Sequence, residues 1–127
     1  MLEDRYRADE RAPAAGADLD AALAAYRAAA GATGDDALRH QVGILLTHRY
    51  ERGGDAGDLA EAVRLLRAGV AAADDPVVRG RRLADLGYAL ARGRPEHGAV
   101  DAWRAACDAL SEAVALLPPV TRPATGR

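Results

Sequence analysis

Asp58-Leu59-Ala60-Glu61-Ala62-Val63-Arg64-Leu65-Leu66-Arg67 is the segment that carries the fold. Leu59, Ala62, Val63, Leu66 and Val70 fall at i, i+3, i+4, i+7 and i+11, one face of an α-helix. Glu61, Arg64 and Arg67 lie off that stripe. The same phrasing stands twice more, in Asp18-Leu-Asp-Ala-Ala-Leu-Ala-Ala-Tyr-Arg27 and in Leu110-Ser-Glu-Ala-Val-Ala-Leu-Leu117. Leu19, Leu59 and Leu110 align, as do Ala22, Ala62 and Ala113, at offsets of 40 and 51. A second pattern runs between these blocks. Leu2-Glu-Asp-Arg-Tyr-Arg7 matches Leu46-Thr-His-Arg-Tyr-Glu51, and Val42-Gly43-Ile44-Leu45-Leu46 matches Leu86-Gly87-Tyr88-Ala89-Leu90, both at an offset of 44.

Two alternating patterns with a period in the forties describe a two-helix unit repeated along the chain. Leu38, Val42, Leu45 and Leu46 give the first helix of a unit its own stripe. Gly31, Gly34, Gly53-Gly54 and Gly93 mark helix ends, and Asp75-Pro76 reads as a cap followed by a first-turn proline. The expected elements are a partial helix near 2–9, a loop over the alanine-rich residues 12–17, and helices near 18–31, 35–52, 57–73, 76–93 and 98–117. The fold expected is all-α, a short right-handed α-solenoid of five to six helices. It forms one domain over 1–117, with units near 2–31, 35–73 and 76–117. The tail Pro118 to Arg127 has no periodicity and is expected to be disordered. Seven extra residues precede Leu110 compared with Leu59, about two helical turns. They predict a longer last helix with Val100, Trp103, Ala106, Cys107 and Leu110 on its inner stripe.

Composition agrees. The chain has 32 alanines and 15 leucines against one isoleucine and no phenylalanine, so helix formers dominate and sheet formers are scarce. All 17 basic residues are arginine, a bias that fits a GC-rich genome. A net charge of −2 argues against a nucleic-acid footprint. No uncharged run approaches the roughly 20 residues of a membrane span. The charged start MLEDRYRADER is no secretory signal, so a cytoplasmic location is expected. One cysteine excludes an internal disulfide.

With Leu86-Gly87 and Val42-Gly43 in first helices and the Asp-Leu-x-x-Ala blocks in second helices, the chain resembles tetratricopeptide (TPR)-type repeat proteins. The run HRYERGGDAGDLAEAVRLL is similar to the long repeats of actinobacterial arrays that accompany CHAT domains or signalling ATPases. The resemblance covers about residues 2–117. It departs from the family in lacking the aromatic near the start of each first helix. Two complete pairs and an orphan second helix at 18–31 suggest a decayed array or a piece of a longer protein.

His40 and His48 stand eight residues apart, about 12 Å on a helix, too far to share a metal. Cys107 is expected to be a buried, inert thiol. Gly53-Gly54-Asp55-Ala56-Gly57 lacks the lysine and hydroxyl of a phosphate loop, and Asp35-Asp36 and Asp74-Asp75 read as helix caps. No catalytic residue, metal or cofactor is expected. What remains is a surface. The resemblance implies that first helices line a concave face, which places His40, Ile44, Thr47 and His48 there from one unit and Arg81, Tyr88 and Arg92 from the next. The function expected is a protein-protein interaction module or adaptor that binds a peptide or partner helix. The alternatives are a structural or oligomerisation segment, or part of a larger repeat-containing signalling protein. Self-association through open solenoid ends is a further expectation.

Overall fold

The computed structural model describes residues 8–93 and 99–118. It is all-helical: α1 (Ala8–Thr33), α2 (Asp36–Gly53), α3 (Ala56–Ala72), α4 (Pro76–Ala91) and α5 (Ala99–Leu116), with no strand among the described residues. Each start has a local cause. Asp35, Asp55 and Asp75 adopt extended backbone, and their carboxylates accept from the N–H groups of Ala37, Gly57 and Val78 at 2.8, 2.8 and 3.0 Å. Each satisfies a donor that the first turn leaves unpaired. Pro76 opens α4 where no N–H is needed. Gly54 ends α2 at φ 74°, a left-handed conformation that glycine adopts without a Cβ penalty, and its N–H returns to Tyr50 O at 2.7 Å. Asp55→Ala is expected to lower stability by about 1 kcal/mol, read as a shift in urea midpoint at constant slope.

Each helix packs on its neighbours in the chain, and α2 also touches α4. Leu23, Val42, Leu46 and Ala62 form one buried cluster among α1, α2 and α3. Tyr50, Leu59, Leu66, Val70, Leu83, Leu86, Leu90 and the alanines of α5 form a larger one. Two glycines 44 residues apart do the same work. A Cβ added to Gly43 would sit 3.0 Å from Leu66 Cγ, and one added to Gly87 would sit 2.6 Å from Leu110 Cγ. In both places a leucine of the following helix lies directly on bare backbone. Ion pairs then tie neighbouring helices, and one reaches from α1 past α2 to α3. Arg49 reaches Asp20 of α1 and Asp58 of α3, Arg27 of α1 holds Glu61 of α3, and Arg79 of α4 holds Glu112 of α5.

Three expectations change. The helix expected at 18–31 begins at Ala8 and runs through residues 12–17, so there is no loop there. Pro13 removes one N–H from the ladder, but the alanines around it favour helix strongly enough to carry the chain through. Residues 2–7 of the expected partial helix and the tail beyond Pro118 lie outside the described residues.

The extra residues of the third unit extend its helix at the N-terminal end only and do not give the longer helix expected. α5 starts eleven residues before Leu110, whereas α3 starts three before Leu59. Pro118-Pro119 follow close after its other end, so α5 has 18 residues against 17 in α3.

The inner stripe of α5 is also different. Trp103 is 61 % exposed, Leu110 40 %, and Cys107 is exposed, while Ala106, Ala109 and Ala113 are buried. Cys107 is therefore not a buried thiol. Gly80 and Gly87 of α4 take Leu117 and Leu110 on bare backbone, and this close approach buries the alanines of α5 beside them. The bulky stripe is turned roughly a quarter of the way round the helix.

Candidate functional site

The groove between α2 and α4 contains a cavity of about 230 Å³ lined by Ile44, Thr47, His48, Asp85 and Tyr88. Its floor is set by backbone geometry. Thr47 is buried, and its hydroxyl donates back to Gly43 O at 3.0 Å within α2. That bond leaves the methyl group as its apolar contribution to the wall.

Tyr88 crosses the groove from α4 to α2. Its hydroxyl donates to Glu51 Oε2 at 2.5 Å, and the other oxygen of Glu51 pairs with His48 Nδ1 at 3.3 Å. Arg92 lies over the Tyr88 ring, its guanidinium carbon 4.8 Å from the centroid. Tyr88 is still 43 % exposed. The result is an open aromatic face with a cation on one side and an engaged carboxylate on the other. Arg81 is exposed on the same helix and is not part of the cavity wall.

The phenol of Tyr88 is raised above its ordinary value, first by the hydrogen bond to Glu51, then by burial and by the Glu51 charge. A raised folded value means that this bond stabilises fully below the unfolded pKa near 10 and is lost as pH climbs through the folded one. In an ultraviolet titration Glu51→Gln is expected to lower the ionisation of Tyr88 toward the ordinary phenol value. An unchanged curve would show that the hydroxyl does not hold Glu51 in solution.

His40 is placed differently from the rest of the expected groove. The residue is 6 % exposed, packed under Gly69 of α3, with Nε2 donating to Asp85 Oδ2 at 2.9 Å. Nδ1 is buried with no hydrogen-bond partner. Beside it Arg82 Nη1 donates to Gly69 O at 2.9 Å and to Asp36 Oδ2 at 2.8 Å. The Arg82 hydrogen bond holds the Asp36 carboxyl below its ordinary range. His40 is thus a joint among three helices, and its partner Asp85 lines the groove.

The sequence-expected residues therefore divide. Ile44, Thr47, His48, Tyr88 and Arg92 come together along one groove, His40 is buried against Gly69 and bonded to Asp85 of its wall, and Arg81 is exposed outside the cavity lining. Asp85 and Glu51 were not singled out by sequence. Glu51 stands three residues after His48, which is a helix-neighbour spacing, whereas nothing local ties Asp85 to a histidine 45 residues away. Among the described residues no three His, Cys, Asp or Glu side chains gather as a metal site, and no helix is long and apolar enough to cross a membrane. No family model, curated protein or solved structure matches this chain.

Proposed function

We propose that the chain is a TPR-type interaction module, a short right-handed solenoid whose α2–α4 groove holds a peptide or partner helix without catalysis. The observation that carries this reading is the convergence of Ile44, Thr47, His48 and Tyr88 from two non-consecutive helices on one cavity, with Arg92 stacked on Tyr88. Support for a repeat comes from the equal roles of Gly43 and Gly87 and from buried Ala62 and Ala113 at matched positions. An exposed, orientationally fixed tyrosine with a stacked arginine is a good anchor, because little side-chain freedom is lost when a partner covers it. Glu51 and Asp85 already accept hydrogen bonds inside the protein, which leaves the cationic side of the groove to the partner. That balance favours a peptide with polar or acidic character.

Selection from a displayed random-peptide library tests the reading. Enriched peptides are expected to bind the native chain, to lose at least about tenfold in affinity with Tyr88→Ala, and to bind equally to Arg64→Ala, a change at an exposed position of α3. No enrichment, or binding indifferent to Tyr88 and Ile44, would refute it. A second reading, a segment that serves assembly, is favoured by the exposed apolar stripe of α5.

A further inference from the structure

The stripe on α5 is the same register that is buried elsewhere in the molecule. Leu110 corresponds to Leu59 and Val114 to Val63. In α3 these positions pack into the core against α4: Leu59 is 9 % exposed and Val63 joins the cluster that contains Leu83, Leu86 and Leu90. In α5 the equivalents are 40 % and 78 % exposed, and the added N-terminal turns extend the stripe with Cys107 and with Trp103 at 61 %. An interface used once inside the protein is thus repeated, longer, and only partly covered: Leu110 rests one side on Gly87 of α4, while Trp103 and Val114 stay mostly exposed.

We infer that α5 is a self-association seam, on which a second copy of this chain packs its own α5 antiparallel. Trp103, Cys107, Leu110 and Val114 are spaced by 4, 3 and 4 residues, the heptad spacing of a two-helix seam. That spacing reads the same from both ends. An antiparallel copy therefore meets it layer by layer: Trp103 on Val114 of the second copy, Cys107 on Leu110 of the second copy, and the reverse. Each layer sets a large side chain against a smaller one, which fills space without overpacking. The charged residues Asp101, Arg104, Asp108 and Glu112 lie off the seam. The arrangement is isologous, closes at two copies and leaves no open end.

The area sets the strength. Taking about 200 Å² for an aromatic side chain and less for each aliphatic one, the exposed fractions offer on the order of 400 Å² per copy. Two copies together fall short of the roughly 1,200–2,000 Å² of a standard specific interface. The dimer is accordingly a weak one that forms at high concentration. The outward face of α1, with Ala17, Ala21, Ala24 and Ala28, has the same spacing but offers only methyl groups, so it buries less.

Sedimentation of the full chain from about 10 µM to about 1 mM tests the seam. The mean mass is expected to rise from 13.3 kDa toward twice that, and emission of Trp103, the one tryptophan, to shift blue over the same range. Val114→Glu, at a position with no packing to lose, is expected to keep the helical circular dichroism and weaken association at least tenfold. A monomer at every concentration overturns the inference. So does a Trp103 already shielded in dilute solution, which would mean that the chain covers its own stripe. Growth beyond two copies that Ala24→Glu abolishes and Val114→Glu spares would assign the contact to α1 instead.

Discussion

Leu66→Ala is expected to destabilise the fold by about 3 kcal/mol, measured as a lower urea midpoint with an unchanged slope. Leu66 is completely buried in the larger cluster, and its Cγ and Cδ2 lie against the backbone of Gly43. Its side chain therefore joins α2 to the layer formed by α3, α4 and α5. The neighbours have little means of closing the gap. Gly43 has no side chain to extend, Ala62 is a methyl group, and the chain supplies only 15 leucines to a core spread along five helices. A cavity that cannot collapse adds its own penalty to the lost burial. Against a total stability of about 5–15 kcal/mol the change is a large fraction. Leu65→Ala, one residue away and only half-buried, is expected to cost distinctly less. A loss below about 1 kcal/mol for Leu66→Ala would mean that the two clusters are not joined there.

That contrast shows what a sequence reading resolves. The helices from Asp36 to Ala91 were legible because apolar periodicity, capping aspartates and terminal glycines all agree there. At residues 12–17 the alanine-rich stretch was read as a loop, yet it is helix despite Pro13 and Gly16, because alanine favours helix. In α5 two apolar stripes run side by side, one of alanines and one of large residues. Periodicity reports that a face is apolar; it does not say which way that face points. The choice depends on another helix: Gly80 and Gly87 of α4 seat Leu117 and Leu110 on bare backbone, and the alanines are buried beside them. The groove was legible as a face because its residues recur at helical spacing. The His40–Asp85 bond was not, since it joins positions 45 residues apart and each residue alone reads as a solvated polar group.

Gly69→Ala tests that hidden joint, and it is expected to cost about 2 kcal/mol where helix propensity alone predicts a gain. Gly69 lies in the interior of α3, a position where alanine ordinarily stabilises by roughly 0.5–1 kcal/mol. Here the added Cβ would overlap His40 Nδ1 and approach its Cγ to 3.1 Å and its Cβ to 3.3 Å. The ring cannot swing aside cheaply, because it is buried and Nε2 is tied to Asp85 at 2.9 Å. If it moves, the α2–α4 bond breaks; if α3 moves instead, Arg82 loses its hold on Gly69 O. In a His40→Ala background neither obstacle exists, and the same substitution is expected to be neutral or to stabilise by up to about 1 kcal/mol. The double-mutant cycle should therefore give a coupling of about 2–3 kcal/mol between two residues on different helices. Because Asp85 lines the groove, Gly69→Ala is also expected to weaken binding of any groove-selected peptide, an effect that Asp55→Ala, far from the joint, should not share. Equal costs of Gly69→Ala in both backgrounds would remove His40 from the joint and leave the glycine without a packing role.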